Sequence, residues 1–123
     1  MYLEQKVQLL ESRVKELERV LRVVLTQRSG ATDIINSVAD HYSFSVSEII
    51  GRRRHIDVIE ARHVAIYLIR KTCRQSLYSI GAMFKRDHGT ILNAVHRIQD
   101  RMDVDPKFKA KIEQWVASFT PNP

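Results

Sequence analysis

One cysteine occurs among 123 residues, and neither a long apolar run nor a ligand-spaced histidine cluster joins it; each of these absences removes a class of protein. The single thiol, Cys73, has no partner for an internal disulfide. With no CxxC pair or histidine-rich neighbourhood, it reads as a small buried hydrophobe. No run of about 18 apolar residues is present, which excludes a membrane-spanning helix. The N-terminus also lacks the apolar stretch of an export signal, so the expected location is cytoplasmic. His41, His55 and His96 are scattered without ligand spacing, and Asp33, Asp57 and Asp105 suit helix caps. Metal binding, acid-base catalysis and a cofactor are therefore not expected, and the chain does not read as an enzyme. Tyr2, Tyr42, Tyr67 and Tyr78 form no stacking platform for single strands. Strand-period alternation is missing as well, so the fold class is all-α.

What is present is positive charge and helical periodicity. Lys and Arg number 20 against 14 Asp and Glu, a formal net charge of +6 that draws the chain to polyanions. In the first segment, residues 1–28, Leu3, Leu10, Leu17 and Val24 recur every seven residues, with Val7, Val14 and Leu21 interleaved. Mostly β-branched residues at a and leucine at d predict a parallel two-stranded coiled coil, hence a homodimer. Lys6 and Arg13 fall at g and Glu4, Glu11 and Glu18 at e. A parallel pair then joins Lys6 to Glu11 and Arg13 to Glu18 of the second copy, while an antiparallel pair opposes like charges. Val20 at g and Leu25 at e widen the stripe toward its end. The alternative is a solvated amphipathic helix folded back on its own domain. Gln27-Arg28-Ser29-Gly30-Ala31 then breaks the apolar period and predicts a hinge.

A second domain is expected over residues 32–119. Thr32 or Asp33 can cap a helix carrying Ile34, Ile35, Val38 and Tyr42; Ser45 with Glu48 is a capping box, and Asp57 with Glu60 repeats the spacing. Val58, Ala61, Val64, Ala65, Leu68, Ile69 and Thr72 recur at threes and fours and mark the central helix. Asp105-Pro106 opens a last helix that buries Phe108, Ile112, Trp115 and Phe119. Between these lies the most informative stretch. A short amphipathic segment, Ser76 to Phe84, is followed by Arg86-Asp87-His88-Gly89-Thr90, in which Asp87 caps a second helix. That is a helix-turn-helix layout, and the first turn after the cap is where a recognition helix meets base edges of duplex DNA. Asp87 can accept from a cytosine amino group, and His88 and Thr90 can bond a base or a phosphate. Lys85 and Arg86 suit phosphate contact. Arg52-Arg53-Arg54, in the loop after Gly51, suits a narrow minor groove, where inserted arginine exploits negative potential. Ala61, Ala65, Leu68, Leu77, Ile80, Phe84, Ile91, Ala94 and Ile98 read as packing, and Gly81 as a site of close helix approach.

Glu60 through Arg70, Ser76-Leu77 with Ile80-Gly81 and Phe84, and Arg86-Asp87-His88 with Thr90, followed by Asn93-Ala94-Val95 and Arg97-Ile98, stand in an order that resembles the C-terminal DNA-binding domain of the bacterial replication initiator DnaA. The resemblance covers about residues 32–117. It implies that Arg62 reaches a guanine edge, that Arg70 and Thr90 position the backbone, that the last arginine of the basic loop enters the minor groove, and that Gly89 and Asn93 belong to the DNA face. Against the family pattern, Gly89 stands where threonine or serine usually follows the histidine. Tyr78 replaces a common proline and Cys73 a common threonine, and the turn before Arg86 is one residue shorter. No G-x-x-x-x-G-K-[ST] phosphate loop occurs in these residues, so ATP-driven assembly is not expected of them. The sequence thus predicts a homodimeric, sequence-specific binder of double-stranded DNA, associated with the nucleoid. It would act as a transcriptional regulator or as a competitor at initiator-like boxes. The alternative is a replication-associated adaptor whose coil recruits a further protein partner.

Overall fold

The computed structural model describes the backbone of residues 2–52 and 54–119 and the side chains of that set except 2–6 and 20–29. Among the described residues six α-helices follow one another: α1 (Tyr2–Tyr42), α2 (Val46–Ile50), α3 (Ile56–Thr72), α4 (Leu77–Phe84), α5 (His88–Val104) and α6 (Pro106–Phe119). The all-α expectation holds. α3 packs against α1, α2, α4, α5 and α6, and its periodic residues Val58, Ala61, Val64, Ala65, Leu68 and Ile69 are buried with Ile66 and Tyr67. A helix buried nearly all round is what a central position among five neighbours requires. Cys73, at its C-terminal end, is half-buried against the same core.

The predicted hinge is absent. Residues 27–31 lie inside α1, which runs unbroken to Tyr42, so neither Thr32 nor Asp33 caps a helix start. Glycine inside a helix costs only about 1 kcal/mol relative to alanine. Burial of Ala31, Ile34, Ile35, Val38 and Ala39 on the core outweighs it, at about 1.5–3 kcal/mol for each large aliphatic side chain. A Cβ at Gly30 would stand 3.4 Å from Cys73 Sγ, at the edge of ordinary contact.

The remaining termini follow their caps. Ser45 and Glu48 close the expected box on α2. Ser76 caps α4, its side chain accepting from the Ser79 amide, and Asp105 caps α6, its carboxylate accepting from the Phe108 amide at 3.1 Å. Asp57 is a correction. His55 is the N-cap of α3, its Nδ1 accepting from the Asp57 amide at 3.4 Å, and Asp57 stands in the first turn. An acidic side chain there still favours the helix by charge rather than by capping.

Phe84 and Asp87 are joined through Lys85, which closes α4 in the left-handed region at φ 55°. A side chain with Cβ is strained there by about 1 kcal/mol. Replacing Lys85 with glycine is therefore expected to raise the thermal midpoint by several degrees. If Lys85 meets a phosphate, the same change flattens the salt dependence of DNA binding by about 0.9 in log K against log salt. Calorimetry and a salt titration check the two halves separately.

Candidate nucleic-acid interface

α2 has five residues, too few to satisfy its own C-terminal carbonyls, which must find donors elsewhere. Two arginines supply them. Arg62 on α3 donates from Nε to the Ile49 carbonyl at 2.6 Å and from Nη2 to that of Glu48 at 3.2 Å. Arg86, in the turn before α5, donates from Nη1 to the Ile50 carbonyl at 3.0 Å and from Nη2 to that of Gly51 at 2.7 Å. Four consecutive carbonyls are thus held by two guanidinium groups, one from the central helix and one from the helix-turn-helix. The basic loop leaves α2 at that point, so its direction is set by this clamp. Gly51 serves space rather than conformational freedom, since a Cβ there would lie 2.7 Å from the Ser47 carbonyl oxygen.

Above the clamp opens a cleft of about 660 Å³ between the basic loop, α3 and α5. Arg52 and Arg54 line it from the loop, Arg62 and His63 from α3, Arg86 from the turn, and Thr90, Asn93 and Arg97 from α5. Charges of one sign are crowded there. Burial first, then the Arg86 charge, lowers the Arg62 guanidinium from its ordinary value; burial, then Arg52, does the same to Arg86. Such a concentration of positive charge is a field that an anion relieves.

His63 titrates below its ordinary value because of burial, with Arg97, Arg62 and Arg86 adding to the depression. Its folded pKa lies below the unfolded one, so the folded protein binds fewer protons. Its contribution to stability is complete above the unfolded value and is lost as the pH drops below about 6.5 toward the lower folded pKa. Denaturant midpoints are expected to fall across that window in the native chain and to fall less in His63→Gln. Equal slopes in the two would remove His63 from the account.

Beside the cleft, α5 presents its first turn outward. Lys85, Asp87, His88, Gly89 and Thr90 are all exposed. The Asp87 carboxylate accepts from the Thr90 amide at 2.7 Å. The Thr90 amide, and then its hydroxyl, hold the Asp87 carboxyl below its ordinary value. Asp87 is therefore committed as a cap in the free protein. His88, the first residue of α5, lies against the Tyr78 ring of α4, with centroids 4.5 Å apart and planes tilted by 30°.

The structure thus brings Arg52, Arg54, Arg62, Arg86, Thr90 and Asn93 into one cleft, with Lys85, Asp87, His88 and Gly89 at its edge in sequence. Arg70 stands apart from the cleft lining, donating from Nη1 to the Gln75 carbonyl at 2.6 Å ahead of α4. Arg53 lies outside the described residues. Arg62, for which the resemblance implied a guanine contact, is only 5% exposed, and its guanidinium is engaged by α2. His63 and Arg97 were not singled out from the sequence. Arg97 follows Thr90 and Asn93 at helical spacing, and His63 shares a face with Ile59 and Ile66, so the signal was periodicity applied to polar residues.

On the seam of α1, Val7, Leu10, Val14 and Leu17 are between 50% and 68% exposed. The seam positions Leu3, Leu21 and Val24 have side chains outside the described set. Among the described residues, no helix is long and apolar enough to cross a membrane.

A short helix and a longer one meeting at a tight turn, seated on a central helix beside an arginine-lined cleft, define a helix-turn-helix protein. The chain belongs to the bacterial DnaA helix-turn-helix family, whose model matches residues 31–98. It is 40% identical over 82 residues to the chromosomal replication initiator protein DnaA of Oenococcus oeni, a match covering 66% of this chain and 18% of that protein. With the DnaA of Deinococcus radiodurans it shares 41% identity over 81 residues, 66% of this chain and 17% of the relative. The chain therefore spans less than a fifth of the length of these relatives. A crystal structure described as a DNA replication initiation factor superposes with a TM-score of 0.72 at 31% identity, over 94% of this chain and 35% of that one.

Proposed function

We propose that the protein binds double-stranded DNA sequence-specifically as a homodimer, acting as a transcriptional regulator or as a competitor at initiator-like boxes on the nucleoid. The observation that carries this reading is the cleft in which Arg52, Arg54, Arg62, Arg86 and Arg97 converge beside the exposed first turn of α5. In this reading α5 enters the major groove and His88, Gly89 and Thr90 meet base edges. Arg97, Asn93 and Lys85 contact phosphates, and Arg54 reaches the flanking minor groove. Arg62 and Arg86 orient the basic loop through α2.

Residues 1–28 supply the dimer and residues 32–119 the reading head. Support for the dimer comes from the exposed seam, where Val7, Leu10 and Val14 line a groove of about 390 Å³ with Glu11, Lys15 and Glu18 at its rim. Apolar stripes flanked by opposite charges are what a second identical helix covers. Leu10→Ala with Leu17→Ala is expected to halve the mass seen by light scattering, and an unchanged dimer would place the interface elsewhere. Leu9, off the seam yet 60% exposed, favours the adaptor as second reading. A monomer that pairs only with a different coil would establish it. Selection of bound DNA from a random pool tests the main reading. A recovered motif with two half-sites, separated by about 10 bp or a multiple of it, is the expected result. Recovery of no motif at all would leave only unspecific polyanion binding.

A further inference from the structure

The geometry points to Tyr78 as a positioning residue that holds the His88 imidazole in its reading orientation through ring stacking. The inference rests on the proposed reading of DNA by α5. Tyr78 is the second residue of α4, one helical turn before Gly81. Gly81 is where α4 and the turn approach most closely, since a Cβ there would lie 2.4 Å from the Arg86 carbonyl oxygen. Residues three apart share a helix face, so the approach fixed at Gly81 carries the preceding Tyr78 over the start of α5. There its ring meets that of His88, at 4.5 Å between centroids and 30° between planes.

Tyr78 is 71% exposed, so its ring contributes little to the core, and His88 is exposed as well. A pair of exposed rings in tilted contact restrains rotamers more than it stabilises the fold. A ring contact of this kind uses the π-face, whereas an imidazole bonds a base through its two edge nitrogens. A side chain already held in its bound rotamer loses less freedom when DNA arrives. Tyr78 thus acts on recognition through His88, and the ring alone is sufficient for it.

Free-protein NMR and binding competition together test this on the full chain. The His88 ring-proton resonances are expected to carry a ring-current displacement that survives Tyr78→Phe and vanishes in Tyr78→Ala, with similar thermal midpoints in all three. In competition between the selected site and a site substituted at the base that His88 reads, Tyr78→Ala is expected to lose about three- to tenfold of the preference, a size set by aromatic-pair coupling. Tyr78→Phe is expected to retain it, and Tyr78→Ala in a His88→Ala background to cost nothing more. If His88→Ala loses discrimination while Tyr78→Ala keeps it, the inference fails and the DNA reading stands. Should Tyr78→Phe be as damaging as Tyr78→Ala, the hydroxyl acts on DNA directly and positioning is overturned. If His88→Ala changes no preference, the reading by α5 falls, and the inference with it.

Discussion

Alanine at His88 is expected to leave a folded protein that still binds DNA but no longer prefers one sequence. His88 is exposed at the first position of α5 and makes no core contact that folding would miss, so the thermal midpoint is expected to stay within a degree or two. In the proposed reading unspecific affinity comes from the arginine cleft, and it is expected to persist with the same steep salt dependence. What is lost is the free-energy difference between the right base and a wrong one, about 1–3 kcal/mol for a good side-chain contact. That is about 5- to 150-fold in preference per reading head, and the proposed dimer would engage two. Competition between the selected site and a scrambled one, at fixed salt, measures it. Undiminished preference would move specificity to another element.

Gly81→Ala acts on the fold instead. The added methyl would stand 2.4 Å from the Arg86 carbonyl oxygen. The obstacle is main chain, which has no rotamer to change. That chain segment is fixed by the Arg86 amide donating back to the Gly81 carbonyl at 2.9 Å and by the Arg86 guanidinium on α2. α4 and α5 must therefore separate, which costs about 2–4 kcal/mol by the usual scale of overpacking. A domain of this size then melts at least about 10 °C lower. The comparison needs equal protein concentration, because the proposed dimerisation would add to apparent stability. Because Arg86 also orients the basic loop, DNA binding by the fraction still folded is expected to weaken too. An unshifted midpoint would mean the turn is looser than its geometry implies.

Local signals carried far in this chain. Asp87, Ser45 and Asp105 each cap the helix that their position suggested, because a cap is a bond between a side chain and amides two or three residues away. The apolar period of α3 was legible for the same reason. Ser29 and Gly30 misled, since a weak local preference against helix was set against burial that only the packed domain supplies. Arg62 and Arg86 carry a further role that the sequence did not show, the clamp on α2. Nothing in their own neighbourhood indicates that the carbonyls they satisfy belong to a short helix many residues earlier in the chain.

The sequence by itself determined an all-α chain, the helix-turn-helix, its caps, its basic loop and the heptad seam, all of which rest on spacing within about two helical turns. Only the tertiary structure decided that α1 runs on without a hinge, that Arg62 and Arg86 clamp α2, that His63 and Arg97 join the cleft, and that Tyr78 lies over His88. The first three depend on segments distant in sequence being brought together around α3, where burial and carbonyls left without donors, rather than local preference, assign a side chain its work; the last depends on how closely α4 meets the turn before α5.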